Sequence, residues 1–419
     1  MKYKTILPFF LMGILCLQAA SQTTISGELR FRPELRYGYR NLPDSGSKPV
    51  FIVSQRSRLN FSFKKEKLAA AISIQDARIW GDEKSYSATG KQGDLASIDL
   101  KEGWLAFNFS KEFTVKAGRQ EWKYGDQRLI GTRNWAQTGI SYDALLLSYK
   151  GSLRIDAGFS YNNDKDLYFQ DFYPTDKFKM MNFLYAEKEL SGKFELYGLY
   201  VMTGMQDPLK AGGLNVKHTI GGSVTFQGDD LMLNGNGYYQ AGRNISNVKV
   251  SAFLLNGIVS YTIGSLKLTA GSDLLSGNED STFTIKDRRF DIFYGARHPF
   301  NGEMDFFSNL NNSTLGGGLI DLYFTPELKI SDKLNAKAAF HYLRLHKSVL
   351  GLGKFLLPEA DFKLAYKFND DLSIDLGYSL AFPTNDFYTI MGSNAENNFP
   401  CHWGWVMITY KPVIYKSEK

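Results

Sequence analysis

Cysteine is nearly missing from this chain: among 419 residues only Cys16 and Cys401 carry a thiol. Cys16 lies in an N-terminal stretch read below as cleaved, so the mature chain can form no intramolecular disulfide and a disulfide-stapled fold is excluded. The residue before Cys16 is Leu15, where lipid modification would need a small residue, so ordinary secretion is expected instead. Histidine is scarce as well. His218, His298, His341, His346 and His402 are scattered, with no HExxH pair, and His341 and His346 would face opposite sides of a strand. No nucleophile and base stand at a telling spacing, so the chain is not expected to be an enzyme, and neither a metal nor a cofactor is implied. Beyond the N-terminus no run of about eighteen apolar residues occurs, which excludes a membrane-spanning helix. The mean hydropathy of −0.27 does not make the chain soluble, because a membrane barrel alternates lipid-facing with lumen-facing residues and averages out near a globular protein.

The first residues that are present in force set the compartment. Lys2 and Lys4 precede an apolar core from Ile6 to Leu17, and Ala19, Ala20 and Ser21 follow. That is a secretory signal with cleavage after Ala20 or Ser21, so residues 1–21 read as a signal peptide and 22–419 as a single domain. Losing Lys2 and Lys4 takes the formal charge from +6 to +4. Secretion with so modest an excess leaves no case for nucleic-acid binding.

Aromatic residues make up 15% of the chain, with 31 Phe, 24 Tyr and 39 Gly against 12 Pro. This is the composition of many strands with aromatic belts and tight turns. The pattern along the chain agrees. From 25 to 37 one face carries Ile25, Leu29, Phe31, Leu35 and Tyr37, and the other Glu28, Arg30, Arg32, Glu34 and Arg36. From 52 to 64, Leu59, Phe61 and Phe63 oppose Arg56, Arg58, Asn60 and Ser62; near 372–382, Leu376, Tyr378 and Leu380 oppose Asp375 and Ser379. Helical spacing of three and four is absent. A soluble sandwich could also alternate, but one closed sheet removes every edge strand. The expected fold is all-β, a transmembrane antiparallel β-barrel of about eighteen strands in a Gram-negative outer membrane. That number leaves an aqueous channel. Short turns such as 64–67 and 369–371 should face the periplasm. The longer stretches 81–94, 163–177, 278–285, 298–314 and 383–400 should lie outside.

Arg30, Arg32, Arg36, Arg56, Arg58 and Arg154 all fall on the face opposite the apolar one. An arginine in lipid at mid-bilayer costs roughly 2–4 kcal/mol in a barrel, so these should point into the lumen. Two outcomes remain open: an anion-selective conduit, or a neutral ladder in which Glu28, Glu34 and Asp156 pair them off. Arginine suits carboxylates because its fork can bind them bidentately. A second cluster, GRQEWKYGDQRLIGTRNWAQTGISYD at 118–143, sets Arg119, Arg128 and Arg133 beside Trp122, Tyr124 and Trp135. Aromatic faces with basic edges can hold acidic sugars; the bland alternative is an interfacial belt with salt-bridged turns.

That cluster, with QDARIWGD at 75–82, GSDLLSGN at 271–278 and FYGARHPFNGEMD at 293–305, resembles the bacterial alginate export family. The resemblance spans 75–305 and implies an outer-membrane barrel with an arginine-rich lumen that passes an anionic polysaccharide or oligosaccharide, with room for periplasmic export or uptake partners. By that likeness Arg119, Asp126 and Arg128 are motif positions. Fold does not fix substrate, so two other readings stand beside it: a general diffusion porin, and a surface-interaction barrel whose lumen is plugged.

Overall fold

The two-residue alternation closes on itself. The protein is seen in a computed structural model that describes residues 21–81, 98–279, 285–393 and 400–417. The expected signal peptide and parts of the 81–94, 278–285 and 383–400 stretches therefore lie outside the described residues.

In chain order the strands are β1 (Ser21–Tyr37), β2 (Val50–Lys65), β3 (Leu68–Ile79), β4 (Ile98–Asn108), β5 (Phe113–Gln120), β6 (Tyr142–Lys150) and β7 (Arg154–Tyr161). They continue as β8 (Phe178–Leu190), β9 (Phe194–Gln206), β10 (Leu214–Gln227), β11 (Leu231–Arg243), β12 (Lys249–Ile263) and β13 (Leu266–Leu275). The rest are β14 (Lys286–Asp287), β15 (Leu319–Lys329), β16 (Leu334–Leu345), β17 (Phe355–Lys367), β18 (Leu372–Ala381), β19 (Cys401–Tyr410) and β20 (Val413–Lys416). Eighteen of these form a closed antiparallel barrel of sequential neighbours, as the sequence predicts. The seam is β19 against β1, with Leu29 opposite Tyr410 and Tyr37 opposite His402. The two-residue β14 lies parallel to β12, and β20 adds to one end of β1.

Side chains obey the alternation. Glu28, Arg30, Arg32, Glu34, Ser54 and Arg56 are buried inside, whereas Leu29, Leu35, Leu59 and Phe61 are exposed outside, with Phe63 half-buried on the same face. The outer exposure is contact with lipid rather than water. Replacing Leu59 with arginine should therefore cost roughly 2–4 kcal/mol of stability. Urea titration of folding into vesicles would show it as an earlier midpoint; an unmoved midpoint would mean that this face rests on protein.

Both ends of the described chain sit with the short turns, where the Ser417 amide donates to the Thr23 carbonyl at 2.9 Å. Those turns are periplasmic and the long connections extracellular. Two long connections depart from the expectation that they stay outside. Residues 121–141, between β5 and β6, and the described residues 285–318 between β13 and β15 fold back into the barrel. Trp122, Leu129 and Ile130 of the first, and Phe290, Met304, Phe306 and Phe307 of the second, are all buried. Apolar side chains in a loop of this length lose more by staying in water than the loop loses by being ordered.

Candidate conduction pathway

A loop inside a barrel carries backbone carbonyls that no sheet satisfies, so the wall must supply donors. The inward arginines of β1 and β2 do this. Arg56 has no exposed surface. It donates to the carbonyls of Gln137 at 2.6 Å, Asn134 at 3.1 Å and Ala136, to Asn134 Oδ1 at 2.8 Å and to Glu28 at 3.0 Å. Arg30 bonds the Asn134 carbonyl at 2.7 Å and pairs with Glu28 at 3.0 Å. Arg32 bonds the Trp135 carbonyl and Glu34, both at 2.9 Å. Gln75 on β3 and Lys101 on β4 extend the row to the carbonyls of Thr138 and Ile140. Arg36 pairs with Glu34 at 2.8 Å, and Arg58 donates to Gln75 at 2.7 Å. Arg154, at the start of β7, pairs with Asp156 and Glu187. Half of the six arginines, Arg30, Arg32 and Arg56, thus grip residues 134–137, and the other three are paired along the wall, so the basic face is no bare positive ring.

The two inner loops also hold each other. Ile130 and Tyr294 form a short parallel bridge, and Arg133 donates to the carbonyls of Gly295 at 3.0 Å and Phe293 at 3.1 Å. Arg128, almost fully buried, pairs with Asp126 at 3.1 Å and with Asp273 of β13 at 2.7 Å, and lies 4.1 Å over the Phe300 ring. Asp305 anchors the second loop: its carboxylate accepts from the Tyr39 hydroxyl at 2.6 Å and pairs with Arg40 and His298. Burial alone would push that carboxyl up, but His298, Arg40 and Tyr39 outweigh it and hold the group below its ordinary value of 3.8. Asp291, paired with Lys217, is held down in the same way against its burial. Groups depressed in the folded loop stabilise it above their unfolded value and lose that contribution as pH falls through the folded one. Acidification below 3.8 should therefore loosen the 285–318 loop. Single-channel recordings would show larger or noisier conductance there, and a flat record across that range would remove the anchor role of Asp305.

Three aromatic side chains expected as sugar platforms are instead covered on their faces. Trp122 is 1% exposed, stacked on Tyr142 at 4.5 Å and edge-on to Phe183. Tyr124 packs between Phe183 and Tyr185 with Arg154 above it. Trp135 lies between Arg32 at 4.4 Å and His298 at 3.9 Å. These rings build the loop's own core, so their faces are not open to a stacked ligand, although Trp135 still borders the larger cavity.

Arg119 is also corrected. Gln120 is fully buried on the lumen side, so by alternation its neighbour points out of the barrel, where it pairs with Asp143 at 3.0 Å. Asp143 shares that outer face with Leu145, which is exposed. Near the loop end of the strands such a pair can sit at the wet rim of the membrane. Gly118, beside it, has a φ of 119°, and a Cβ there would lie 2.3 Å from the Gly103 carbonyl oxygen.

Open volume remains on both sides of the loops. The larger cavity, about 850 Å³, lies toward the periplasm and reaches from β10 round to β1. Its wall passes from uncharged Thr225, Asn234 and Asn236, through acidic Asp273, Asp321 and Glu327, to basic Lys337, Lys363 and Arg30. A smaller one of about 370 Å³, with Lys217, Arg243, Arg289 and Arg297, opens on the other side. Lys337 and Lys363 were not singled out in the sequence, although alternation from His341 and Asp361 puts both on the inner face. Attention to clustered arginines hid them.

The model of the alginate export family matches residues 27–401. The chain belongs to the alginate export family. As a member of that family with a closed barrel of this size, it is an outer-membrane protein of the porin kind, in contact with outer-membrane lipid. No curated protein matches the sequence. Among solved structures it is similar to the outer membrane protein opdK from Pseudomonas aeruginosa, with a TM-score of 0.63 and 11% identity over 94% of this chain and 98% of that one. OpdK of the same organism with vanillate gives 0.59 and 12%, over 93% and 98%. A BenF-like porin from Pseudomonas fluorescens Pf-5 gives 0.63 and 10%, over 94% and 99%. At such identities the likeness speaks for the fold alone. It sets this alginate export family member among barrels of the same architecture and extent.

Proposed function

We propose that this protein passes acidic sugars, as sugar-acid oligomers or the free end of an anionic polysaccharide, across the outer membrane. The pathway would run through a lumen narrowed by the 121–141 and 285–318 loops. The observation that carries the reading is the charged cavity of about 850 Å³ beside those loops, where Lys337 and Lys363 line the wall without an ion-pair partner among the described residues, while Arg30 is paired with Glu28 and the acids Asp273, Asp321 and Glu327 lie along the same wall. Confined positive charge raises local anion concentration, and weak binding along a path favours passage over capture. The family name points to an acidic glycan, and a solved structure of this architecture, OpdK, is one with vanillate, a small carboxylate. A general diffusion porin is the second reading, favoured by the uncharged polar arc of Thr225, Asn234 and Asn236.

Current block separates the two. Uronate oligomers should interrupt single-channel current at lower concentration than neutral oligosaccharides of matched length. The difference should shrink at higher salt, as the Debye length falls below about 8 Å. Equal block by both sugars would leave a porin without acidic-sugar preference.

A further inference from the structure

On the wall facing the loops, four adjacent strands bring one row of side chains together. Pairing sets Lys337 of β16 opposite Lys363 of β17, Lys363 opposite Gly377 of β18, and Gly377 opposite Trp405 of β19. Lys337, Lys363 and Trp405 all line the larger cavity. Like charges directly opposite on one sheet face destabilise the pairing, and a carboxylate between them is the usual remedy. Among the described residues neither ammonium has a carboxylate oxygen within 4.0 Å or a hydrogen-bond acceptor.

The neighbouring acids do not supply one. Glu327 of β15 stands directly opposite Lys337 in the register, and its carboxylate lies beyond ion-pair distance of the ammonium. Asp361, two positions from Lys363, is turned to His341 and the Glu303 amide. Glu303 of the inner loop is pushed up, first by burial and then by Asp361, and the lysines and His298 only partly offset this. Among the described residues no ion pair joins Glu303 to either lysine.

Trp405 adds an independent sign. It is 4% exposed, and its indole N–H has no acceptor. The ring is seated over Gly377, where a Cβ would approach to 2.1 Å, and Lys363 lies 5.7 Å from a ring centroid of Trp405. A buried donor without an acceptor is costly, and a ligand oxygen would remove that cost.

We infer that Lys337, Lys363 and the Trp405 indole N–H form an oxyanion subsite that takes the carboxylate of an acidic sugar during its passage. The inference rests on the function proposed above and adds the place where the acid group halts. Two ammonium heads without a carboxylate partner offer charge-assisted hydrogen bonds to the two oxygens of one carboxylate. Lysine heads are mobile point charges, suited to holding an anion briefly.

The test is block of single-channel current through the full protein by digalacturonate, with cellobiose as the neutral disaccharide and inorganic phosphate as the dianion. In a Lys337→Gln/Lys363→Gln variant the half-blocking concentration of digalacturonate should rise at least about tenfold, the loss of one charge-assisted hydrogen bond. Cellobiose block should not change. Lys337→Arg/Lys363→Arg should keep the block, and Trp405→Phe, which retains a ring without the N–H, should weaken it. The single lysine variants give the same reading should the double variant fail to assemble. Unchanged digalacturonate block in the glutamine variants would overturn the subsite and leave the acidic-sugar channel standing. Stronger block by phosphate than by digalacturonate would overturn the carboxylate assignment. No digalacturonate block of the unaltered protein would remove both the subsite and the proposed function.

Discussion

Arg56→Ala is expected to raise single-channel conductance several-fold and to make the current noisy. Arg56 is wholly buried, and its donors meet three loop carbonyls, the Asn134 side chain and Glu28. Removing one partner from a buried, hydrogen-bonded charge arrangement costs about 3–5 kcal/mol, and here the loss falls on the hold that β2 has on residues 134–137. Applied to the equilibrium between docked and released loop, 3 kcal/mol is about a hundredfold in population. Arg58 is the internal control. It bonds Gln75 on the neighbouring strand and approaches Glu28 at 3.6 Å, with no loop carbonyl among its partners, so Arg58→Ala should conduct much like the parent. Planar-bilayer recordings of the two variants decide the matter: equal conductance in Arg56→Ala and the parent would show that other contacts hold the loop.

The second large effect is expected at Asp273. Its carboxylate meets Arg128 at 2.7 Å, with both side chains almost without exposed surface. Asp273→Ala leaves Arg128 with Asp126 alone and should lower stability by about 3–5 kcal/mol, whereas replacing both partners by apolar residues of similar size is often neutral. Arg128→Met/Asp273→Leu should therefore melt close to the parent and well above Asp273→Ala. Gel mobility of the folded barrel against temperature would show the order. Indistinguishable single and double variants would mean that the pair is not what fastens the first loop to β13.

Much of the architecture was legible before any coordinates. Arg30 and Arg56 could be assigned to the lumen, and Leu29 and Phe61 to lipid, because a strand turns successive side chains to opposite faces and lipid penalises charge on one of them. The same rule carries Lys337 and Lys363 to the inner face, yet their importance was not legible. It arises from strand register, which sets one lysine opposite the other and both in line with Trp405. Register depends on pairings between strands far apart in sequence or joined by turns of unknown geometry.

The 118–143 cluster shows the opposite case. Its composition allowed either a sugar platform or a structural aromatic cluster, and the packing is that of the second. Trp122, Tyr124 and Trp135 have the surfaces a sugar would need, but those surfaces are occupied by Tyr142, Phe183, Arg32 and His298. Arg119 shares the motif with Arg128 but lies on the outer face of β5, one residue from the inward Gln120, whereas Arg128 stands on the inner loop.

The chain's own order of residues determined the compartment, the barrel, its approximate strand number and which face of each strand meets lipid. These follow from local periodicity and from the absence of any helix-length apolar run. Only the tertiary structure decided that two extracellular connections turn inward, that the arginines grip loop carbonyls, and which cations face open space. Those outcomes depend on contacts between residues about a hundred or more positions apart, such as Arg30 with Asn134 and Arg128 with Asp273. No local pattern records such contacts, because they exist only once closure of the barrel has brought its wall around the loops.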